Sequence, residues 1–450
     1  MIKSPNELIG MKCLLFGYGK SNAALANYLK KHGAEITVAD SRKNASELEE
    51  DIFKSGVENL KIADDISSQR PDVVFRSPSV RPDDANITVL LEKGAILCSE
   101  TELFFELAKG KIIGITGSDG KTTTTTLTYL MLRKKYGDRV KIGGNIGIPL
   151  SDSLDCLDER SITVCELSSF QLMTLNKSPE ISAVTNITEN HLDYHRSMEE
   201  YISSKTRIAS GVECMRLVTG ISTFEQIKSS LKRVPHEIVR FATDRTDCEI
   251  CLYGNAIYCY GEKALDTSEI RVKGLYNKLN FMTAIGICYH EISAENIESV
   301  AKEFTGVSHR AELSGCVDGI QFYNSSIDST PSRTLATLSG FDETGITLIC
   351  GGKDKNLSFR QFAEQTQKKV NKYILMGSNH EKIKKELSAA GVSSENILYA
   401  GTLEEAVGKA LGCTEKGGTV LFSPASTSFD MFRNFEERGE KFMEAVRKHL

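Results

Sequence analysis

The stretch at residues 114–123, Gly-Ile-Thr-Gly-Ser-Asp-Gly-Lys-Thr-Thr, most constrains what this chain can fold into. It continues an apolar run at residues 112–116 that predicts a buried strand, and it leads into a threonine-rich stretch that predicts a helix. A glycine-rich turn between a strand and a helix lets backbone N–H groups and the helix N-terminus converge on one anion. The stretch therefore predicts a phosphate-binding loop inside an α/β domain.

The side chains of this loop indicate that it binds a nucleoside triphosphate. Lys121 can reach the β- and γ-phosphates, and the hydroxyl of Thr122 can ligate Mg²⁺. The pattern departs from the strict Walker form because Ile115, and not glycine, stands five places before Gly120. A generic glycine turn is the alternative, but the order of strand, glycines, Lys and Thr favours ATP. The predicted ATP-binding loop comprises Gly117, Ser118, Asp119, Gly120, Lys121, Thr122 and Thr123.

The rest of the chain repeats a strand–helix rhythm. A length of 450 residues suggests about three domains. The first segment has strands at residues 12–16 and 36–39 around a helix from about Asn22 to His32. Further strands are predicted at residues 73–75, 95–97, 112–116, 162–165, 183–185, 320–323, 346–350, 372–376 and 419–422. We predict three α/β domains: Rossmann-like at 1–110, P-loop ATPase-like at 111–307 and Rossmann-like at 308–450.

Composition excludes several classes of protein. The formal net charge is -5 and no basic run occurs, so neither nucleic acid nor an anionic membrane is an expected partner. No window approaches the roughly 18 apolar residues of a membrane span, and residues 1–10 lack the apolar region of a signal peptide. Of twelve cysteines, only Cys248 and Cys251 form a C-x-x-C pair, on a stretch that alternates like a β-hairpin around Gly254-Asn255. We expect a monomer in a reducing cytoplasm.

Five further motifs carry a resemblance to a known family. They read Gly143-Gly-Asn-Ile-Gly147, Glu166-Leu-Ser-Ser-Phe-Gln171, Asn186-Ile-Thr-Glu-Asn-His191-Leu-Asp193, Leu275-Tyr-Asn277-Lys-Leu-Asn280 and His309-Arg310-Ala-Glu312. Together with the phosphate loop they resemble the Mur ligase and folylpolyglutamate synthase superfamily. The resemblance extends over all three predicted domains and implies an enzyme that activates a carboxylate with ATP and joins it to an amino acid.

The resemblance also implies roles for the central residues. Glu166 and His191, an oxygen and a nitrogen ligand, would bind a second Mg²⁺ between the acyl carboxylate and the γ-phosphate. Lys205 falls where many Mur ligases carry a carbamylated lysine, although a solvated helix lysine is the alternative. The implied catalytic set is Lys121, Glu166, His191 and Lys205, and the implied metal set is Thr122, Glu166, His191 and carbamylated Lys205. Asn277, Asn280 and Arg310 would contact the nucleotide.

The first segment contains a second phosphate-type turn. Gly17-Tyr-Gly19, with Asp40 about twenty residues on, is close to a dinucleotide fingerprint, but Asn22 replaces the third glycine. An NAD site is the rival interpretation. A strand-to-helix turn binds any diphosphate, so beside the other motifs a UDP-sugar fits better. The expected contacts are Gly17, Tyr18, Gly19, Lys20, Ser21, Asp40, Ser41, Arg42, Ser77 and Asn145. Where D-glutamate-adding relatives usually read S-P-G, this chain has Ser77-Pro-Ser-Val-Arg81.

The last segment points to the amino acid. Residues 423–439 resemble the D-glutamate ligase run S-P-A-x-x-S-x-D-x-F-x-x-F-x-x-R-G. By this resemblance the D-glutamate contacts are His191, Ser329, Lys355, Ser428 and Phe435. One departure is notable: the family's N-D-S-K-A-T is Asn-Ser-Ser-Ile-Asp-Ser here, at residues 324–329. Asp328 is the candidate to replace the missing acidic residue on the ATP side.

The expected activity is ATP- and Mg²⁺-dependent addition of D-glutamate to UDP-N-acetylmuramoyl-L-alanine through an acyl phosphate, in peptidoglycan precursor synthesis. Three alternatives stay open at this point. One is a Mur or folylpolyglutamate-type ligase with another acceptor. The others are an NAD(P)-dependent oxidoreductase, for which no catalytic constellation is found, and a nucleotide-sensing scaffold without turnover.

Overall fold

The computed structural model describes residues 2–57, 60–192, 194–272, 274–341, 343–354 and 357–450. Within them the chain forms three sheets flanked by helices, which confirms the predicted α/β class. The residues group into two compact units, one formed by 1–269 with 279–302 and the other by 270–278 with 303–450. No helix of the described ranges is both long and apolar enough to cross a membrane. The boundaries at 110/111 and 307/308 stay a prediction.

The first sheet is parallel, with strand order β3-β2-β1-β4-β5. Its strands are β1 (Lys12–Phe16), β2 (Glu35–Ala39), β3 (Lys61–Ile62), β4 (Val73–Arg76) and β5 (Ile96–Cys98). Its helices are α1 (Lys20–Lys31), α2 (Ala45–Ser55), α3 (Ala85–Glu92) and α4 (Glu100–Leu107). β4 is buried along its whole length, as expected of a strand covered on both faces. The Gly17 turn lies at the carboxyl end of β1, where open α/β sheets bind ligands.

The second sheet has the order β14-β13-β12-β11-β10-β9-β6-β8-β7. Its strands are β6 (Lys111–Thr116), β7 (Val140–Gly144), β8 (Ile162–Glu166), β9 (Ile181–Val184), β10 (Arg216–Gly220), β11 (Glu237–Ala242), β12 (Ile250–Tyr253), β13 (Ala256–Cys259) and β14 (Glu262–Asp266). Helices in this part of the chain are α5 (Lys121–Tyr136), α6 (Ser169–Leu172), α7 (Met198–Thr206), α8 (Ile221–Ile227), α9 (Leu275–Cys288) and α10 (Ala294–Glu303). β12 and β13 form the predicted hairpin, with Cys251 and Cys259 buried.

The third sheet has the order β15-β16-β20-β17-β18-β19 and is parallel except for β15. Its strands are β15 (Glu312–Val317), β16 (Ile320–Asn324), β17 (Ile346–Gly351), β18 (Val370–Met376), β19 (Ile397–Tyr399) and β20 (Thr419–Phe422). Its helices are α11 (Pro331–Ser339), α12 (Arg360–Thr366), α13 (His380–Ala389), α14 (Leu403–Cys413) and α15 (Phe435–Arg447). The loops that follow β16, β20, β17 and β18 are therefore neighbours at one edge.

Candidate active site

The phosphate loop connects β6 to α5, as predicted. Gly117 has φ +148° and Gly120 has φ +75°, conformations that favour glycine. Close packing also requires glycine at both positions. A Cβ on Gly117 would lie 1.9 Å from Oγ1 of Thr185, and one on Gly120 would lie 2.3 Å from Oδ1 of Asn280. The loop thus fits tightly between β9 and α9, and the N-terminus of the 16-residue helix α5 adds partial positive charge there.

Two residues without an assigned role in the sequence brace this loop. Oδ1 of Asn186 accepts hydrogen bonds from the backbone N–H groups of Ser118 and Asp119, at 3.1 and 2.8 Å. The hydroxyl of Tyr201, which is fully buried on α7, lies 2.8 Å from Oγ of Ser118. Each brace joins the loop to a residue more than sixty positions away. Such distant pairs carry no local spacing signal that could have revealed them.

Two lysines converge on one carbonyl of the loop. Nζ of Lys121 donates to the carbonyl oxygens of Gly117 at 3.0 Å and Ser118 at 2.9 Å. Nζ of Lys205 donates to the same Gly117 oxygen at 2.6 Å. Burial lowers the pKa of Lys205 well below its ordinary value, Lys121 lowers it further, and Asp119 and Glu166 act in the opposite direction. The buried site therefore shifts Lys205 toward the neutral amine.

Glu166 ends β8 and is buried. Its Oε1 accepts a hydrogen bond of 2.7 Å from Nδ2 of Asn145, and its backbone carbonyl accepts one of 2.9 Å from the N–H of Asn145. Its Oε2 has no hydrogen-bond partner among the described residues. A buried carboxylate oxygen without a partner is costly, so this atom fits a cation as its missing partner. Asn145 thus positions Glu166, and its expected contact with the UDP-substrate stays a prediction.

His191 lies in an exposed turn with φ +56° and contacts the ring of Phe170 edge-on at 4.9 Å. His195, which sequence reasoning did not single out, is buried, and its Nε2 lies 2.9 Å from Oγ of Ser169. Burial lowers the pKa of His195 to about 4, so its imidazole is neutral at physiological pH. Thr122 and Thr123 occupy the first turn of α5, where Thr122 is partly exposed and Thr123 is buried.

The predicted diphosphate turn is also formed. Gly17 has φ +84°, and a Cβ there would lie 2.7 Å from Cβ of Ser77, so these two expected contacts pack together. Asn22, which replaces the third glycine, is fully buried. Its Nδ2 donates to the carbonyl oxygens of Gly17 at 2.8 Å and Phe75 at 3.1 Å. An amide side chain thus ties the turn to β4.

Asp40 is engaged within the protein. Its Oδ2 accepts from the backbone N–H of Tyr18 at 3.0 Å, and Arg42 donates to both of its oxygens at 3.2 Å. Burial would raise the pKa of Asp40, but these hydrogen bonds and the Arg42 charge lower it overall. Both oxygens of the Asp40 carboxylate therefore already accept hydrogen bonds from Arg42. This pairing disfavours the ribose-binding role that an NAD site requires of the acidic residue. Nζ of Lys20 donates to the carbonyl of Gly147 at 3.1 Å, while Ser21 and Ser41 lie on α1 and after β2.

The second unit brings the His309-Arg310 motif beside β16. Nδ1 of His309 lies 3.0 Å from Nδ2 of Asn324, and Gly439 packs against the same imidazole so closely that a Cβ would lie 2.1 Å from Nδ1. Nε of Arg310 is buried without a hydrogen-bond partner among the described residues. Asn277 and Asn280 lie on α9, with Asn280 against Gly120 as described above.

Asp328 is buried, and its Oδ2 lies 2.7 Å from Oγ1 of Thr337 and 2.8 Å from Oγ of Ser423. At least one carboxylate oxygen is thus held by hydroxyl groups of the interior. Ser325, at the position of the family's acidic residue, accepts from the backbone N–H of Ala311 at 3.2 Å. Whether Asp328 also contacts ATP stays a prediction.

The expected D-glutamate residues of this unit belong to neighbouring loops at the carboxyl edge of the third sheet. Ser329 follows β16, Ser428 follows β20 and Phe435 begins α15, whereas Lys355 lies outside the described residues. The backbone N–H of Lys353 donates to the carbonyl of Thr427 at 2.9 Å, which joins the loop after β17 to the loop after β20.

Arg438, missed by sequence reasoning, braces these loops from α15. It is buried and donates to Oγ of Ser326 at 3.0 Å, to the carbonyl of Ser326 at 2.7 Å and to the carbonyl of Ser426 at 2.9 Å. Burial lowers its pKa to about 10. Its guanidinium thus holds the loop after β16 and the loop after β20 in register.

Two family models match the segments that carry the phosphate loop and the third sheet. The Mur ligase middle domain matches residues 115–288, and the Mur ligase, glutamate ligase domain matches residues 309–426. The chain therefore belongs to the Mur ligase family.

Similar relatives narrow the class. The UDP-N-acetylmuramoylalanine–D-glutamate ligase of Clostridium perfringens is 37% identical over 97% of this chain and 96% of its own length. The enzyme of the same name from Clostridium botulinum is 39% identical over 96% of this chain and 95% of its own. The crystal structure of a MurF ligase from Thermotoga maritima in complex with ADP shares the fold, with a TM-score of 0.56, 15% identity and coverage of 100% of this chain and 98% of that one.

Proposed function

We propose that this protein is an ATP-dependent acid–amino-acid ligase that adds D-glutamate to UDP-N-acetylmuramoyl-L-alanine during peptidoglycan precursor synthesis. The observation that carries the proposal is the 37–39% identity to D-glutamate ligases along nearly the whole chain. The D-glutamate ligase run at residues 423–439 supports the choice of amino acid, since it lies at the carboxyl edge of the third sheet beside the loop after β17.

The phosphate loop supports the first half of the reaction. Transfer of the γ-phosphoryl group to the carboxylate of the L-alanyl moiety makes an acyl phosphate, and the amine of D-glutamate then displaces phosphate. Phosphoryl transfer depends mainly on positioning and on cations around the phosphoryl oxygens. Lys121, already at the loop, is the proposed cation for the β- and γ-phosphates. Asn277, Asn280, Arg310 and Asp328 are proposed to contact the nucleotide.

The oxygen and nitrogen donors of the proposed ligands have the chemistry that suits Mg²⁺. The proposed ligands are Thr122, Glu166, His191 and a carbamate on Lys205, and the cation would neutralise charge on the γ-phosphate and the carboxylate. Carbamylation needs a neutral amine: the Lys205 nitrogen bonds to the carbon of CO₂ and releases one proton, which leaves a carboxylate-like group. The lowered pKa and full burial of Lys205 support this modification. Oε2 of Glu166 supplies the second negative oxygen.

The remaining contacts follow the two turns. The Gly17 turn and Ser77 are proposed to bind the diphosphate of the UDP-substrate, with Lys20 as the cation and Ser41 and Arg42 toward the uracil end. Ser329, Ser428 and Phe435 are proposed to hold D-glutamate, with Lys355 as a point charge for one carboxylate. We further propose a cytoplasmic monomer that acts on small molecules, with the three domains bounded as predicted. The twelve free thiols suit a reducing compartment.

The decisive experiment measures phosphate release by the purified protein with ATP, Mg²⁺ and UDP-N-acetylmuramoyl-L-alanine. D-glutamate, L-glutamate and no amino acid are compared in parallel. Release that depends on D-glutamate supports the proposal. Release that depends on another amino acid, or no release with any combination, refutes the assigned substrates and directs attention to the altered residues 324–329.

A further inference from the structure

The loop after β4, which departs from the S-P-G pattern, carries Arg81. Arg81 uses its guanidinium to hold three groups. Nε and Nη2 donate to the two oxygens of Asp83 at 2.8 and 3.1 Å, and Nη2 and Nη1 donate to the two oxygens of Glu200 at 2.9 and 3.1 Å. Nη1 also donates to the carbonyl of Tyr194 at 2.5 Å. These five contacts match the five N–H donors of arginine.

This cluster is charged and partly shielded from water. The side chains of Arg81 and Glu200 are 22% and 27% exposed. Hydrogen bonds from Arg81 lower the pKa of Glu200 to about 2, and the two carboxylates raise the pKa of Arg81. Paired bidentate contacts of this kind fix orientation as well as distance, which a lysine at the same position could not do.

The far side of the cluster is the turn that carries His191. The backbone N–H groups of Tyr194 and His195 both donate to the carbonyl of His191, at 3.0 and 2.9 Å. His191 has a left-handed backbone, φ +56°, a conformation that is uncommon for residues with a side chain. The residue that closes this turn, Tyr194, is the one whose carbonyl Arg81 binds.

The near side of the cluster is the loop of Ser77. The hydroxyl of Tyr194 donates to the carbonyl of Pro78 at 2.9 Å, directly after Ser77. On the other side of that loop, the buried Arg76 donates to the carbonyl of Phe170 at 2.7 Å and to the carbonyl of Val80 at 3.0 Å. Phe170 contacts the rings of both His191 and Tyr194. The Ser77 loop is therefore bonded on both flanks to the residues that surround His191.

We propose that Arg81 is a positioning residue that fixes the turn of His191 relative to the loop of Ser77. The inference rests on the proposed function for what each side binds: the UDP-substrate at Ser77 and the metal at His191. Arg81 belongs to the loop of Ser77, and its guanidinium binds the turn of His191. Binding of the UDP-substrate and orientation of His191 therefore become coupled.

The test compares Arg81→Met, Arg81→Lys and Glu200→Gln with a matched control, Arg196→Lys. Arg196 lies between Tyr194 and Glu200, is exposed and pairs with Asp83. Within the part of the chain that the structure describes, its side chain donates to neither Glu200 nor Tyr194. We expect Arg81→Met to lower kcat/KM for the UDP-substrate at least about tenfold, the scale of losing a charged hydrogen bond. Arg81→Lys should recover little of this loss. The KM of Arg81→Met for ATP should change less than about twofold. All kinetic constants of Arg196→Lys should also change less than about twofold.

A second measurement does not depend on turnover. Backbone amide exchange of residues 194–200 in the ligand-free protein should accelerate in Arg81→Met, while exchange in α5 stays at the wild-type rate. In the wild type, the UDP-substrate alone should slow exchange of residues 194–200, and in Arg81→Met it should not.

The outcomes separate this inference from the proposed function. If the wild type releases no phosphate with D-glutamate, the proposed function fails, and amide exchange of the ligand-free proteins still decides the role of Arg81. If Arg81→Met keeps wild-type exchange at residues 194–200, the inference is overturned. Increases of equal size in the KM for ATP and in the KM for the UDP-substrate, with a lowered Tm, would also overturn it, because they indicate a general structural role.

Discussion

Glu100 carries a pH dependence that its surroundings make measurable. It is the first residue of α4 and is 3% exposed. Its Oε1 accepts hydrogen bonds from the backbone N–H and the hydroxyl of Ser151, at 2.9 and 3.2 Å. Burial raises its pKa from 4.5 to about 7, and the bonds from Ser151 offset only part of that rise.

The sign and size of the effect follow from linkage. Because the folded protein holds this proton more tightly than the unfolded chain, Glu100 disfavours folding once it must ionise. Its contribution to stability is intact below pH 4.5 and is lost as the pH rises through about 7. At 1.36 kcal/mol per pKa unit, the loss is about 3 kcal/mol. Glu100→Gln removes the ionisation and keeps an oxygen that can accept from Ser151.

We therefore expect the stability of Glu100→Gln, measured relative to wild type, to rise by about 3 kcal/mol between pH 4.5 and pH 8. Native-state hydrogen exchange of amides in α4 and in residues 150–156 measures this locally, which suits a chain too long for two-state unfolding. Comparison at each pH cancels the intrinsic pH dependence of exchange. Glu106→Gln on the same helix is the control. Parallel pH profiles for Glu100→Gln and wild type would refute the reasoning.

Three further predictions concern the site. Lys121→Ala should abolish ATP-dependent phosphate release without changing the circular dichroism spectrum, because the cation for the β- and γ-phosphates is lost; full activity would contradict the phosphate-loop assignment. Lys355→Ala should raise the KM for D-glutamate at least about tenfold and leave that for ATP within about twofold, since only one carboxylate contact is removed; equal effects on both would exclude Lys355 from the amino-acid site. Gly120→Ala should reduce phosphate release and Tm, because its Cβ would lie 2.3 Å from Oδ1 of Asn280. Gly56→Ala, which is also in the left-handed region (φ 72°, ψ 8°) but has nothing within 4 Å, isolates the cost of backbone strain, about 1 kcal/mol, and an equal effect on Tm would remove the steric argument.

Local patterns predicted the elements that carry the chemistry. The strand, glycine turn and helix at residues 111–136 are formed as expected, because apolar runs and glycines act over a few residues. The predicted boundaries were less accurate. Helix α1 begins at Lys20, two residues before its predicted start, and its N-cap, Gly19, has no capping side chain that would have marked this start in the sequence. β10 and β11 were not predicted, since a short apolar run such as Leu-Val-Thr-Gly does not by itself distinguish a strand from a loop.

Contacts between distant residues escaped prediction. The stretch at residues 77–81 was recognised as a departure from the family's S-P-G, yet nothing in the sequence connects Arg81 with Glu200, 119 positions away. Asp40 was expected at the nucleoside, which stays a prediction, but its hydrogen bonds with Arg42 and with the backbone N–H of Tyr18 were not foreseen. Spacing identifies which residues share a turn or a helix face. It does not identify which partner on another strand a polar side chain will choose.

Asn22 has a consequence for engineering. At this position of a dinucleotide-type turn the consensus residue is glycine, so a consensus-based stabilisation strategy would introduce Asn22→Gly. Here that change would leave the carbonyls of Gly17 and Phe75 without the amide that binds them, and it would open a void where a fully buried side chain stood. The glycine of a dinucleotide-type turn and this asparagine are not interchangeable, because one depends on the absence of a side chain and the other on a particular amide.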